Sequence, residues 1–478
     1  MPYTEKPLTD IGSIVGTFNV TLYYDSELGD LTAPPSNTIL NIGEVTSFME
    51  RNAGEIQLDS CQLHIRDDYA TYTEGFWYKV LNATLPPRIK ILLDEGSGNT
   101  PYYYGEVDPL SIQWEEKYIK SDNTEFLRVA EFEIVSLLKS LENVLASTWL
   151  DEAYTHRIVT QLEFGGSLYE ILKLTDFLAS LLNAAGLNDD WSSDDATFIW
   201  DGASPELKFK YNSEDYTIDD LHLGISNDMG EDPTHNIVKV PYWDSSHPSY
   251  LGKLYSKGMD LLAAICRQFG LHPVFTYDGS RHILELRQKG HTYSGAITMK
   301  GGVIRSRIVK DFDVRVNAVK FFSKLTESNY YWESTERGGG LTPPPEGLEF
   351  DLHEPVLFLI DEGGSGEKLY VFAPTLKVLN GIQYYHYVLG SSATALGTHT
   401  MQEALCLYEF YRLAKRKKVI ERTYGSLQAD NGGGNTHEAV KLLARASIND
   451  GTGAGMYYIN KLIKKPASSE LEIEWIKE

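Results

Sequence analysis

The sequence has few cysteines, no long apolar run and a shortage of positive charge, and each shortage excludes a class of protein. The three cysteines in 478 residues stand far apart, at Cys61, Cys266 and Cys406, which predicts buried thiols rather than a disulfide framework or a zinc site. No apolar stretch approaches the roughly 18 residues of a membrane-spanning helix, so we expect no membrane insertion. The first residues lack the pattern of a secretion signal, which predicts synthesis and assembly in a cytoplasm.

Lysine and arginine number 43 against 67 aspartates and glutamates, a formal net charge of −24. A surface of this sign repels the phosphate backbone, so the composition predicts no specific nucleic-acid binding. The same charge would suit a wall that DNA passes without sticking, although solubility explains it equally well.

The motifs that carry common chemistry are also missing. The sequence contains no phosphate-binding glycine loop, no nucleophile elbow and no dinucleotide fingerprint. His353-Glu354 and His437-Glu438 begin like a zinc-protease helix, but neither continues to the second histidine, so we interpret both as surface pairs. The sequence therefore predicts no catalytic residue, no metal and no cofactor, although the many carboxylates leave a glycosidase pair open.

The order of the predicted elements indicates an α+β protein with small antiparallel β-barrel domains, interspersed helices and a helix-plus-hairpin middle domain. Residues 1–148 alternate apolar and polar side chains, which is typical of a β-barrel, and Arg88–Leu93 and Tyr102–Val107 form a hairpin around a glycine-containing turn. Residues 149–300 form the middle domain. Residues 301–478 form a second barrel-like domain, in which strands at Met456–Ile463 and Leu471–Ile476 close the chain.

Three helices are predicted after residue 149. A stripe of apolar residues predicts a helix over 167–186, ending at a glycine. A second amphipathic helix, 256–270, runs directly into a hairpin that ends near 289 and turns at Asp278-Gly279. A third helix is expected over 399–418. An apolar strand and acidic-glycine turn at 89–104 is echoed at 356–371, which marks either two copies of one β-domain or the generic recipe of a hairpin.

Two surface features are candidate contact sites. Arg412, Arg416 and Lys417 belong to a basic cluster in an otherwise acidic chain. The cluster indicates either favourable cations at a helix C-terminus or a contact with an acidic neighbouring subunit. Trp191 and Trp200 lie among aspartates, which indicates either a solvated acidic loop or a site for a glycan or calcium.

Two stretches resemble a known family. Residues 256–289, with Gly258–Gly270 followed by Val274–Gly279 and Ile283–Leu286, resemble the helix-plus-hairpin unit of bacteriophage baseplate or tail-tip hub proteins. The N-terminal part, through Arg66–Tyr69, the hairpin at Asp94-Glu95-Gly96, and Phe132–Leu145, resembles the first barrel of the same family. Together the stretches cover about half of the chain.

The resemblance implies a structural protein of the virion and not an enzyme. It implies a homotrimeric ring that joins the tail tube or distal tail protein to a spike or central fibre protein. It also implies a first barrel whose strands come from distant parts of the chain. The alternatives are a carbohydrate- or receptor-binding tail protein and, third, a polysaccharide-degrading tail glycosidase.

Overall fold

The protein is described here from a computed structural model, in which three parts of the chain are described almost continuously. They are residues 3–145 with gaps at 9, 32–37, 51–54, 70–74, 97 and 119–125; residues 257–310 with gaps at 270, 280, 289–291 and 294; and residues 418–478. Elsewhere the structure describes residues 160–164, 167–187, 198–203, 207–211, 214–216, 221–225, 318–323, 329–333, 348–352, 358–360, 386–389 and 399–400.

The N-terminal part consists of antiparallel strands, as its alternating sequence predicts, with one short α-helix and 3-10 helices at Ser26–Leu28, Pro109–Ser111 and Leu137–Asn143. Every second side chain from Phe18 to Tyr24 is buried, because successive side chains of a strand point to opposite faces. Its elements are β1 (Tyr3–Pro7), β2 (Ile11–Ser13), β3 (Gly16–Asp25), β4 (Ile39–Phe48), β5 (Ser60–Tyr69), α1 (Phe76–Leu81), β6 (Arg88–Asp94), β7 (Asn99–Val107), β8 (Gln113–Tyr118) and β9 (Phe126–Ser136).

The middle part adds two longer helices to further strands. Helix 256–270 and its hairpin are confirmed as a helix at Gly258–Phe269 and two paired strands. The elements are β10 (Thr160–Phe164), β11 (Ser167–Lys173), α2 (Leu174–Ala184), β12 (Phe198–Ala203), β13 (Leu207–Tyr211), β14 (Glu214–Tyr216), β15 (Leu221–Ile225), α3 (Gly258–Phe269), β16 (Leu271–Tyr277), β17 (His282–Gln288) and β18 (Thr298–Met299).

The described C-terminal part is all β. The two closing strands predicted from the sequence are confirmed, each slightly longer than expected. The elements are β19 (Val303–Lys310), β20 (Ala318–Ser323), β21 (Asn329–Glu333), β22 (Leu348–Leu352), β23 (Phe358–Ile360), β24 (His386–Leu389), β25 (His399–Thr400), β26 (Lys418–Tyr424), β27 (Ala429–Asp430), β28 (Asn435–Thr436), β29 (Arg445–Asn449), β30 (Ala454–Lys465) and β31 (Glu470–Lys477).

One 14-stranded antiparallel sheet, the large sheet, unites both ends of the chain. Its strands run in the order β1-β3-β6-β7-β9-β5-β4-β30-β31-β26-β19, with β2, β8 and β29 paired alongside. The join between distant segments is β4 against β30, where Thr46 lies opposite Ile463. One buried cluster connects the two parts of the sheet and includes Trp77 from the N-terminal part and Trp475 from the C-terminal part.

The sheets are mostly antiparallel and the described helices are few, which confirms the α+β class in its coarse form. No closed barrel occurs among the described strands, since the two ends of the large sheet, β1 and β19, do not pair with each other. The predicted small barrels are therefore not confirmed. Strand pairs cross residues 148 and 300, as in β4 with β30 and β15 with β23, and the three-domain division stays a prediction.

The helix expected over 167–186 is wrong in its first seven residues. Residues Ser167–Lys173 form β11, which pairs with β10 and β15 on its two sides. A short apolar run fits both periods, and the neighbouring strands decide for the extended form. The helical remainder ends as predicted: Gly186 has φ 67°, Leu187 N donates to Leu182 O, and Gly186 N donates to Asn183 O, which is the hydrogen-bond pattern of a Schellman motif.

The helix expected over 399–418 is contradicted at both ends. His399–Thr400 belongs to β25 and Lys418 begins β26, while residues 401–417 lie outside the described part. The β-branched residues Val419 and Ile420 favour the strand, in which Ile420 and Tyr424 point into the core.

The residues that carry the N-terminal resemblance have a structural role. Asp67 is 2% exposed, and its two carboxylate oxygens accept hydrogen bonds from Trp77 N at 3.1 Å and Tyr78 N at 3.0 Å. A carboxylate at a helix N-terminus satisfies amide groups that the helix itself leaves free. A Cβ at Gly75 would lie 2.0 Å from Asp67 Oδ2, so this position requires glycine.

Candidate functional site

Strand β19 is the most exposed strand of the large sheet. All of residues 303–308 are exposed, including Val303 at 46%, Ile304 at 60% and Ile308 at 50%. Ile308 lies opposite Ile420 of β26, which is fully buried. The hydrophobic core therefore ends at β26, and β19 extends beyond it with its apolar side chains uncovered.

Strand β19 is also cationic. Among the described residues Arg305 has no ion-pair or hydrogen-bond partner, and Arg307 reaches Glu421 only at 3.8 Å, with both side chains well exposed. These arginines line a groove of about 320 Å³ on the solvent face of the sheet, together with Lys461 and Arg422. The carboxylates of that groove already have partners, since Glu472 pairs with Lys465 at 2.8 Å and Glu474 accepts from Asn460 at 2.6 Å.

The outer edge of β19 pairs with no other described strand. An edge strand presents a row of backbone N–H and C=O groups that can pair with another chain, and proteins usually shorten or cover such edges. An eight-residue edge with exposed isoleucines is therefore a surface suited to protein contact.

A buried charge network holds the β6–β7 turn against the C-terminal part. His437 is fully buried, and the side chain of Glu95 is 5% exposed. His437 Nδ1 donates to Glu95 Oε2 at 3.1 Å, and His437 Nε2 donates to the carbonyl of Pro101 at 2.9 Å. Gln428 Nε2 donates to the other oxygen of Glu95 at 2.9 Å, and Lys464 Nζ donates to the carbonyl of His437 at 3.2 Å.

These contacts affect the ionisation of Glu95. Desolvation opposes ionisation of Glu95, but hydrogen bonds from His437 and Gln428 outweigh it and lower the pKa of Glu95. An ionised carboxylate and a backbone carbonyl are both acceptors, so both ring nitrogens of His437 face hydrogen-bond acceptors. The surface pair expected at His437-Glu438 is therefore wrong for His437, while Glu438 is exposed.

A cavity of about 380 Å³ lies between the large sheet and the β16–β17 hairpin. Its wall is aromatic: His282 lies 4.8 Å from Tyr104 and 4.9 Å from Tyr277, centroid to centroid, and Phe275 stacks on His282 at 5.2 Å. Burial, aided by Arg88, lowers the pKa of His282 to about 3, so this ring is neutral. The rings contact one another, so their first role is to dock the hairpin on the sheet.

Two ionisable groups of the same cavity are strongly desolvated. Burial raises the pKa of Asp59 to about 7, against the opposing effects of a hydrogen bond from Ser47 and the charge of Lys464. Burial lowers the pKa of Lys464 to about 8. Because burial shifts the pKa values of both groups toward neutrality, both make the stability of the fold sensitive to pH.

The candidate site residues predicted from the sequence are only partly placed. Arg412, Arg416, Lys417 and Trp191 lie outside the described residues, so their predicted contacts stay predictions. Trp200 is in β12, where it lies opposite Leu284 of β17, and its side chain is not described.

Two other members of the basic cluster serve the fold itself. Lys418 Nζ lies 3.0 Å from Asp450 Oδ2, and Arg422 Nη2 donates to the carbonyl of Asn449 at 2.6 Å. Hydrogen bonds from Thr452 and Tyr457 lower the pKa of Asp450, so it is an anion beside Lys418. These two cations are on strand β26, which pairs with β19 and β31, and not at a helix C-terminus.

Sequence reasoning missed β19 and the Glu95–His437 pair. For β19 the signal was present, since residues 303–310 are apolar and basic with no acid. For Glu95 and His437 the separation is 342 residues, and nothing local indicates that they meet. Of the thiol predictions, Cys61 and Cys266 are confirmed as free and buried, and Cys406 lies outside the described part.

Within the described residues, no group of three or more histidine, cysteine, aspartate or glutamate side chains is placed to hold a metal ion. Within the same residues, every helix is too short or too polar to cross a bilayer.

Comparisons with known proteins complete the description. No protein-family model matches the sequence, and no curated protein matches it. The fold is similar to the 43 kDa tail protein of prophage MuSo2 from Shewanella oneidensis, with a TM-score of 0.40, 10% identity, and coverage of 91% of this chain and 92% of that one. It is also similar to the tail protein from Neisseria meningitidis MC58, with a TM-score of 0.39, 11% identity and 96% coverage of each chain. These structural neighbours are tail proteins, but TM-scores and identities this low establish no function for this chain.

Proposed function

We propose that the chain is a structural subunit of a bacteriophage tail tip or baseplate, where copies associate into a trimeric ring that joins the tail tube or distal tail protein to the spike or central fibre. The observation that carries the proposal is β19, an unpaired, cationic and partly apolar edge strand in a chain of net charge −24. Such a strand is best explained by a neighbour that covers it in an assembly.

The resemblance of the sequence to hub proteins is the reason for proposing a phage tail. Two features of the fold are consistent with that resemblance. Helix α3 leads directly into the β16–β17 hairpin, which is the unit on which the resemblance rests. Strand β4 pairs with β30 from the far end of the chain, in the way that the resemblance implies for a first barrel built from distant segments.

The mass of the purified protein tests the assembly. We expect a trimer by light scattering at micromolar concentration, and a shift toward monomer in an Arg305→Glu/Arg307→Glu variant whose unfolding midpoint is unchanged. A Lys79→Glu/Lys257→Glu variant alters the net charge by the same amount at exposed positions outside β19 and should stay trimeric.

The proposed location at the tail tip can be tested on virus particles. An antibody against the chain should label the tail tip in electron micrographs, and particles made without the chain should lack a complete tip. A chain that is monomeric at every concentration and absent from particles contradicts the proposal.

A carbohydrate- or receptor-binding role is the second candidate, favoured by the aromatic wall of the cavity beside the hairpin. Sugar rings stack on tyrosine faces, and Tyr277 is partly exposed there. Binding to a glycan array that disappears in Tyr277→Ala, with the fold intact, would support this role. Turnover of a host polysaccharide would instead support the glycosidase.

A further inference from the structure

We propose that β19 of one subunit pairs edge to edge with β1 of the next copy, so that the large sheet continues from subunit to subunit around the ring. The inference rests on the proposed function and identifies the surface that forms the ring.

The main path of the large sheet ends at two unlike strands, β1 and β19. Within the described residues β1 is paired only with β3, and β19 only with β26. Contact between two different surfaces of identical subunits is heterologous, and it produces a closed ring when the rotation between neighbours closes. A chain with one free strand at each end of its sheet has the topology for this kind of contact.

The two terminal strands carry opposite charge in their own side chains, while Arg88 of β6 lies over the ring of Tyr3 in β1. Strand β19 presents Arg305 and Arg307, and no acidic residue occurs over 303–310. Around β1, the only basic residue of positions 3–31 is Lys6, whose Nζ lies 3.6 Å from Asp30 Oδ1 and donates to the carbonyl of Leu31. The exposed acids at this end of the sheet are Glu5, Asp10, Glu27 and Asp30.

Charge also argues against the symmetric alternative, in which β19 pairs with itself. Antiparallel pairing of two copies of β19 places the arginines of one strand beside those of the other, and like charges in such positions are destabilising. Pairing with β1 places them near Glu5 and Asp10 instead. The ladder would be short, because Pro7 has no N–H and ends β1, so side-chain contacts must contribute as well.

Cross-linking between two different variants tests the contact directly. One protein carries Thr4→Cys, the other carries a cysteine in place of Ile304, Ser306 or Ile308, and both carry Cys406→Ser. When the two are mixed, a disulfide between them can form only between copies. We expect a reducible heterodimer for at least one β19 position, because paired strands bring Cβ atoms within disulfide range. Leu110→Cys, at a position that is 94% exposed, is the control partner and should give none.

Charge exchange gives a second, independent readout. Arg305→Glu/Arg307→Glu alone, and Glu5→Lys/Asp10→Lys alone, should each weaken association about tenfold or more. Combining the four changes in one chain should restore the oligomer.

The outcomes separate the two proposals. A wild-type trimer that forms no β1–β19 disulfide above the Leu110 control, and that is not rescued by charge exchange, overturns this inference and leaves the proposed function standing. A wild-type chain that is monomeric and absent from virus particles overturns both.

Discussion

Strands β31 and β19 lie on opposite sides of the same strand, β26, yet they face different surroundings. In β31 Leu471, Ile473 and Trp475 are almost fully buried, whereas residues 303–308 of β19 are all exposed. Both strands carry apolar residues, so composition does not explain the difference. What differs is that β31 lies on the buried core, while β19 extends beyond it and its outer edge pairs with no described strand.

The sharpest test of this contrast removes one large side chain from each strand. Trp475→Ala should lower the free energy of unfolding by about 4 kcal/mol, because it empties a fully buried volume. Ile308→Ala should change it by less than about 0.5 kcal/mol in the monomer. Urea unfolding of both variants measures this, and a comparable loss in Ile308→Ala would show that β19 is covered within the subunit.

A smaller loss of stability is expected when the buried network around Glu95, which anchors the β6–β7 turn, is disrupted. Glu95→Gln should cost about 2 kcal/mol near neutral pH, because it removes the ionised carboxylate that accepts buried hydrogen bonds from His437 and Gln428. The matched control is Glu438→Gln, next to His437 but exposed, where we expect little change.

The sign of the pH dependence follows from the shift at Glu95. Its pKa is lowered in the folded protein, so its contribution is present above the pKa of the unfolded chain and is lost as pH falls. The difference between wild type and Glu95→Gln should therefore shrink in acid. A difference that stays constant down to low pH would contradict an ionised Glu95.

Asp59 should have the opposite pH dependence and a smaller effect. Its pKa is raised to about 7 by burial, so its contribution is full below the pKa of the unfolded chain and is lost as pH rises through about 7. Asp59→Asn should flatten the decline of the unfolding midpoint between about pH 4 and pH 7. Ser47→Ala removes a hydrogen bond that lowers the pKa of Asp59, so it should move the decline to higher pH. An unchanged profile in Asp59→Asn would assign the decline to another group.

The smallest effect on stability is expected on β19 itself. Arg307 lies 3.8 Å from Glu421 and both side chains are exposed, so Arg307→Ala should change the free energy of unfolding by no more than about 0.5 kcal/mol. The same variant should weaken self-association in sedimentation experiments. If Arg307→Ala lowered stability but did not weaken association, β19 would serve the fold of the subunit and not the contact between subunits.

Local patterns predicted local structure well. The hairpin at β6–β7 and the unit of α3 with β16–β17 were predicted with their turns, because alternation, glycine and capping act within a few residues. The prediction of a helix over 167–186 was wrong in its first seven residues. A short apolar run fits the periodicity of a helix and of a strand, and pairing with neighbouring strands favours the strand here.

By itself the sequence determined the strand-rich class, the excess negative charge and most of the short-range elements, since these depend on side-chain periodicity and composition. Only the tertiary structure decided that β4 pairs with β30, that Glu95 meets His437, and that β19 lies at the edge. Those outcomes depend on which distant surfaces can bury apolar area and match charge together, and no window of neighbouring residues contains that information.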